Sequence, residues 1–341
     1  MKIFAAGLIL GLVVGIGLGG VGSVRWARAK ARRPERSSAV AVILPAKPIE
    51  NAQALAKCLD ALPYEVGFFA KDLETGRITE RFGDRAVCLA SMVKVFCLTE
   101  LYRQKHEESL DVSTKIGVPD HGDLSLTAAA DLMIGQSDNA ATHALAEFLG
   151  RVNVNRIPSL LGLDSLSGNI LPSEAVLRQT LDKRIFGGRH AAAGLPQHGT
   201  ARDMAGFFER LLDKKVISEA VSEDLVEFFS GHPMPYSNRY AGTYNFAGKG
   251  GNILWTRPPK HYAMMGWNLF VTKPSGGRLV LCVWGEWFPQ NLDPEKQTEF
   301  LKFVTDSVIG ILEGQAAAVF SGGGTAERRH AGLHHLHAPF R

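Results

Sequence analysis

The chain has 341 residues, of which 45% are apolar and 21% charged, enough to bury a sizeable core and too apolar for a disordered chain. Its net charge of +4 is concentrated in Arg25, Arg28, Lys30, Arg32, Arg33 and Arg36. The remainder is near neutrality and has no basic stripe of the kind that binds nucleic acid.

Residues 1–36 read as an apolar segment with that basic flank. Ile3 to Val24 is long enough to span a bilayer. Ala27-Arg28-Ala29 is a poor signal-peptide cleavage site among basic residues. Gly7, Gly11, Gly15 and Gly19 recur every fourth residue and line one helix face, where small residues let membrane helices approach. The segment is read as an uncleaved anchor, with a secretory signal as the alternative. The basic flank by itself favours a cytoplasmic end. Residues 37–48 read as a linker.

Residues 49–315 read as one domain. Ile49 to Leu62 forms a first helix, and Tyr64–Asp72 and Arg77–Phe82 form strands joined by a Glu74-Thr75-Gly76 turn. Cys88–Gln104 contains a helix, and a mainly helical stretch runs from Ser125 to about Lys214. Strands return at Tyr244–Lys249, His261–Thr272 and Arg278–Trp287, the last two joined by Pro274-Ser275-Gly276-Gly277. Asp293–Gln315 is a closing helix. Strands from both ends of the chain thus flank a helical middle, as one antiparallel sheet with an inserted all-helical lobe requires.

Residues 316–341 are rich in Gly, Ala and His and have little to bury, so they read as a disordered tail. His330, His334, His335 and His337 lack the carboxylate or cysteine company of a metal site. No cofactor or metal is implied. Cys88 and Cys97 read as buried thiols, and His143 and His198 have no ligand spacing.

The chemistry lies in three short motifs. Ser91-Met92-Val93-Lys94 precedes an apolar run, so a helix starting at Ser91 would put serine and lysine on one face, one turn apart. A lysine there accepts the serine proton once burial or a neighbouring cation lowers its pKa. Ser137-Asp138-Asn139 separates two apolar helical stretches, and Lys249-Gly250-Gly251 follows a short strand. In this order, S-x-x-K, S-D-N and K-x-G resemble the motifs of the penicillin-recognising serine enzymes, the class A β-lactamases and DD-peptidase-type penicillin-binding proteins. The resemblance extends from about Leu62 to Gln315. It includes Leu132-Met133-Ile134 before the second motif and a helix start at Thr200-Ala201-Arg202-Asp203-Met204.

This resemblance implies an α+β, β-lactamase/transpeptidase-like fold and a serine hydrolase that opens β-lactam rings through an acyl-enzyme on Ser91. It implies Lys94 as proton acceptor, Ser137 as proton relay and Asn139 and Lys249 as substrate contacts. The Ser91 N–H and a strand N–H after Gly251 would form the oxyanion hole. Glu174 matches the deacylating glutamate in an E-x-x-L context, but Arg178 replaces the asparagine that would help hold its water. Glu174 also fits a helix-start glutamate after Pro172-Ser173. Gly250 lacks the hydroxyl the family places there, which shifts carboxylate recognition to Lys249, Arg257 or Lys260, with Asn252 as a polar contact. The alternatives are a penicillin-binding DD-peptidase acting on peptidoglycan peptides and a catalytically silent envelope binding protein. The implied substrate is a small β-lactam or peptidoglycan peptide. The implied location is periplasmic or otherwise extracytoplasmic, with residues 3–24 in the inner membrane if uncleaved.

Overall fold

A computed structural model describes residues 47–49, 51–166, 170–171, 197–234, 240, 243–257, 260–288 and 292–314. The expected anchor, Glu174, Arg178 and the tail lie outside the described residues. Among those described, no helix is long and apolar enough to cross a membrane, and no cluster of His, Cys, Asp and Glu is placed to hold a metal.

The sheet is antiparallel and five-stranded. Strands β1 (Glu65–Asp72), β2 (Ile78–Arg81), β7 (Asn245–Arg257), β8 (Lys260–Thr272) and β9 (Arg278–Glu286) lie in the order β2-β1-β9-β8-β7. The central strand β9 reads Leu-Val-Leu-Cys-Val-Trp and is buried on both faces. Side chains alternate across a strand. Leu279, Leu281 and Val283 therefore enter one core, and Val280, Cys282 and Trp284 enter the other.

Helices α1 (Ala52–Asp60) and α8 (Pro294–Gly314) cover the first face. Leu55, Leu59, Phe300, Leu301, Val304 and Val308 pack there with the sheet. The second face carries the helical lobe, comprising α2 (Lys94–Glu107), α3 (Leu126–Gly135), α4 (Asn139–Leu149), α5 (Arg151–Leu160), α6 (Ala201–Leu212) and α7 (Glu219–Gly231). A chain of ring contacts ties lobe to sheet. Phe96 meets Phe207 at 5.4 Å, Phe208 meets Phe207 at 5.2 Å and Phe229 at 5.3 Å, and Phe270 of β8 closes the group at 5.4 Å from Phe208. Each such pair is worth about 0.5–1.5 kcal/mol beyond its buried area.

Local signals start the helices. Side-chain oxygens of Asn51, Ser125, Asp138, Thr200 and Ser218 cap α1, α3, α4, α6 and α7, each accepting from an otherwise unpaired amide. A ribbon, a hairpin, a helix and the length of β7, which runs past Lys249 to Arg257, depart from the sequence reading. A two-residue ribbon pairs β3 (Val87–Cys88) with β6 (His198–Gly199), and a hairpin pairs β4 (Lys115–Val118) with β5 (Gly122–Ser125). Helix α7 was not anticipated. These strands are too short for a periodicity signal.

No disulfide joins Cys58, Cys88, Cys97 or Cys282, and the last three are buried.

Candidate active site

The expectation that a helix begins at Ser91 is corrected. Ala90–Val93 form a 3₁₀ turn, and α2 begins only at Lys94. Ala90 has φ +45°, a costly conformation for a residue with a Cβ, so the chain breaks just before the serine. The shared face survives, because a 3₁₀ turn repeats every three residues and Ser91 and Lys94 are three apart. Ser91 is partly buried, and its hydroxyl makes no hydrogen bond among the described residues.

Lys94 is buried, and its amine is held by the second motif. Nζ donates to the Ser137 carbonyl at 2.5 Å, to Asn139 Oδ1 at 2.9 Å, and to Ser137 Oγ and the Asp138 carbonyl at 3.3 Å. Ser137 is placed by a left-handed backbone, φ +59°, between α3 and α4. Burial lowers the Lys94 pKa to about 7, and the Lys249 ammonium pushes the same way. Near neutral pH about half the amines would then be free to accept a proton.

Lys249 lies on β7, at the edge of the sheet, and is buried. Its Nζ donates to the Gly250 carbonyl at 2.9 Å. Burial lowers its pKa to about 8. Strand β7 runs directly against the serine turn. A Cβ at Gly251 would stand 2.9 Å from the Ser91 nitrogen, so only glycine lets strand and nucleophile turn meet this closely. Asn252 follows with its side chain exposed.

Ser91, Lys94, Ser137, Asn139, Lys249, Gly250 and Gly251 thus converge where the serine turn, the S-D-N turn and the edge strand meet. Arg257 is not brought to them. It is the last residue of β7, six positions past Gly251, roughly 20 Å along an extended strand. Lys260 is its cross-strand partner and lies equally far along.

Sequence reasoning missed three residues that shape this site. Met234 places its methyl 3.4 Å from where a Gly250 Cβ would stand. Gly248, with φ +152°, lets β7 approach the Asn268 carbonyl of β8. His121, at the tip of the β4–β5 hairpin, reaches Asp138. The Pro-Asp-His-Gly-Asp run around His121 was a turn signal, but its destination was tertiary.

The Beta-lactamase enzyme family model matches residues 50–234. This chain belongs to the β-lactamase enzyme family. Solved structures share its fold. A β-lactamase from Sphaerobacter thermophilus is 20% identical, with a TM-score of 0.59, covering 78% of this chain and 98% of its own. A class A β-lactamase from Mycobacterium abscessus is 15% identical, with a TM-score of 0.60, covering 76% and 97%. PBP-A is 19% identical, with a TM-score of 0.60, covering 77% and 96%. A PBP-A variant at the same identity is an acyl-enzyme complex with penicillin G. No curated protein sequence matches this chain. The β-lactamase-family fold therefore stands on the family model and these superpositions together.

Proposed function

We propose that this member of the family is a serine hydrolase that opens β-lactam rings through an acyl-enzyme on Ser91. The observation that supports this reading is the buried Lys94 amine. It lies one turn from Ser91, is hydrogen-bonded to Ser137 and Asn139, and titrates at about 7. Lys94 takes the Ser91 proton as Oγ attacks the carbonyl. The Ser91 amide stabilises the oxyanion together with an N–H of the strand after Gly251. Ser137 passes the proton from Lys94 to the departing nitrogen. Asn139 and Lys249 orient the substrate amide and carboxylate.

A second reading is favoured by Gly250 and Arg178. A DD-peptidase-type protein, like PBP-A in fold, would acylate and release slowly. Gly250 removes a hydroxyl for the carboxylate, and Arg178 removes an amide for the deacylating water. The proposal extends to an extracytoplasmic location with residues 3–24 retained as an anchor. N-terminal sequencing that finds mature protein beginning near Lys30 would refute the anchor.

Intact mass of the protein, followed over time with penicillin, separates the readings. A transient adduct means β-lactam hydrolysis, and a persistent one means a penicillin-binding peptidase. No adduct leaves only a silent binding protein.

A further inference from the structure

Asp138 shares its two carboxylate oxygens between two elements. Oδ1 accepts from the Ala141 amide at 2.7 Å and caps α4. Oδ2 lies 3.3 Å from Nε2 of His121. His121 is held at the hairpin tip by a tight turn. Asp120 and Gly122 beside it both have positive φ, and the His121 amide donates to the Val118 carbonyl at 3.0 Å. On its other side, the main-chain carbonyl of Asp138 accepts from Lys94 Nζ at 3.3 Å and from Thr142 Oγ1 at 2.5 Å. One residue of the S-D-N turn therefore joins a partly exposed imidazole to the buried amine of the candidate base.

We propose that His121 is a positioning residue for Lys94, acting through Asp138. This rests on the reading of Lys94 as proton acceptor for Ser91. Two physical effects contribute. The imidazole fixes the Asp138 carboxylate, and with it the strained Ser137 turn that supplies two of the Lys94 hydrogen bonds. When protonated, it also offsets the carboxylate charge, which otherwise favours the charged amine. Burial alone would raise the Asp138 carboxyl; the Ala141 amide, His121 and Lys94 outweigh it and hold it below its usual value. The other charges around this line are the exposed Asp120 and Asp123 on the hairpin and Lys249 on β7. The side chains of His121 and Asp138 are 33% and 26% exposed, so solvent screens the effect without abolishing it.

The test is the pH profile of acylation by penicillin between pH 5 and 9 in wild type, His121→Gln and His121→Arg. Glutamine keeps a donor and never carries a charge, so its acid limb should lie above that of the arginine variant by roughly half a pH unit. Arginine fixes the charge, so the limb should move down. A limb that coincides in all three proteins overturns the proposal, even if the plateau rate falls, because that would be a purely structural role. Lys94 itself is read by side-chain NMR of labelled lysine in the same three proteins. A wild type that forms no adduct refutes the Ser91 reading. A Lys94 titration that still moves between variants then sustains the coupling, and one that does not overturns it.

Discussion

Gly251 of the edge strand lies directly on the backbone of Ser91. A Cβ at that position would stand 2.8 Å from the Leu89 carbonyl oxygen and 2.9 Å from the amide nitrogens of Ser91 and Met92. All three are main-chain atoms and cannot swing aside. Gly251→Ala should cost about 1–3 kcal/mol in thermal or denaturant unfolding, as overpacking does. It should also slow acylation on the order of a hundredfold by displacing strand from nucleophile. Gly250→Ala is the internal control. Among the described residues its Cβ would meet the flexible Met234 methyl at 3.4 Å and the Gly266 carbonyl at 3.7 Å, so stability should change little.

Ser91→Ala should abolish the covalent adduct while leaving the melting temperature nearly unchanged. The Ser91 hydroxyl has no hydrogen-bond partner among the described residues, so its removal orphans nothing. An alanine variant that still gains the adduct mass would remove Ser91 from the mechanism.

Lys94 gives a stability signature with a defined sign. Its folded pKa is about 7, against an ordinary value of 10.5. Below about 7 the folded protein carries a buried charge. Between the two values the unfolded chain binds a proton that the folded one does not, so stability rises with pH across that window. Lys94→Met should therefore unfold at higher denaturant than wild type at pH 6, by about 1–3 kcal/mol after the lost hydrogen bonds. The advantage should vanish by about pH 10. Equal stability at pH 6 and pH 10 would mean the amine is not desolvated.

Gly250→Thr restores a hydroxyl on the strand beside Lys249. A hydrogen bond to a charged group contributes about 1.5–3 kcal/mol. The apparent KM for a carboxylate-bearing β-lactam should fall roughly tenfold, with less effect on its methyl ester. An equal change for acid and ester would show that the carboxylate does not bind there.

Glu174 should govern release of the acyl-enzyme. Glu174→Ala should slow deacylation by about a hundred- to ten-thousand-fold and leave acylation largely intact, so the adduct accumulates. Arg178→Asn should speed release. If neither substitution changes the adduct lifetime, Glu174 has no part in turnover.

Much of this protein is written locally. The apolar run Leu279–Trp284, caps such as Thr200 and Ser125, and the turn at Glu74-Thr75-Gly76 each depend on residues within one element, so their signals are visible in the chain. The order of the S-x-x-K, S-D-N and K-x-G motifs pointed to the family, and the family model and the fold agree. Tertiary structure decided the rest. Lys94 is followed by an apolar helix whether or not it is buried; its pKa of about 7 arises because distant segments bury the amine and bring the Lys249 ammonium near it. Gly251 reads as a strand glycine until the Ser91 turn is set against it. Arg257 reads as a nearby cation until the strand carries it roughly 20 Å away. His121 reads as a turn residue until the hairpin delivers it to Asp138. Propensity and periodicity act over a few residues, whereas desolvation, charge coupling and steric exclusion depend on which distant segments meet, and only the folded chain fixes that.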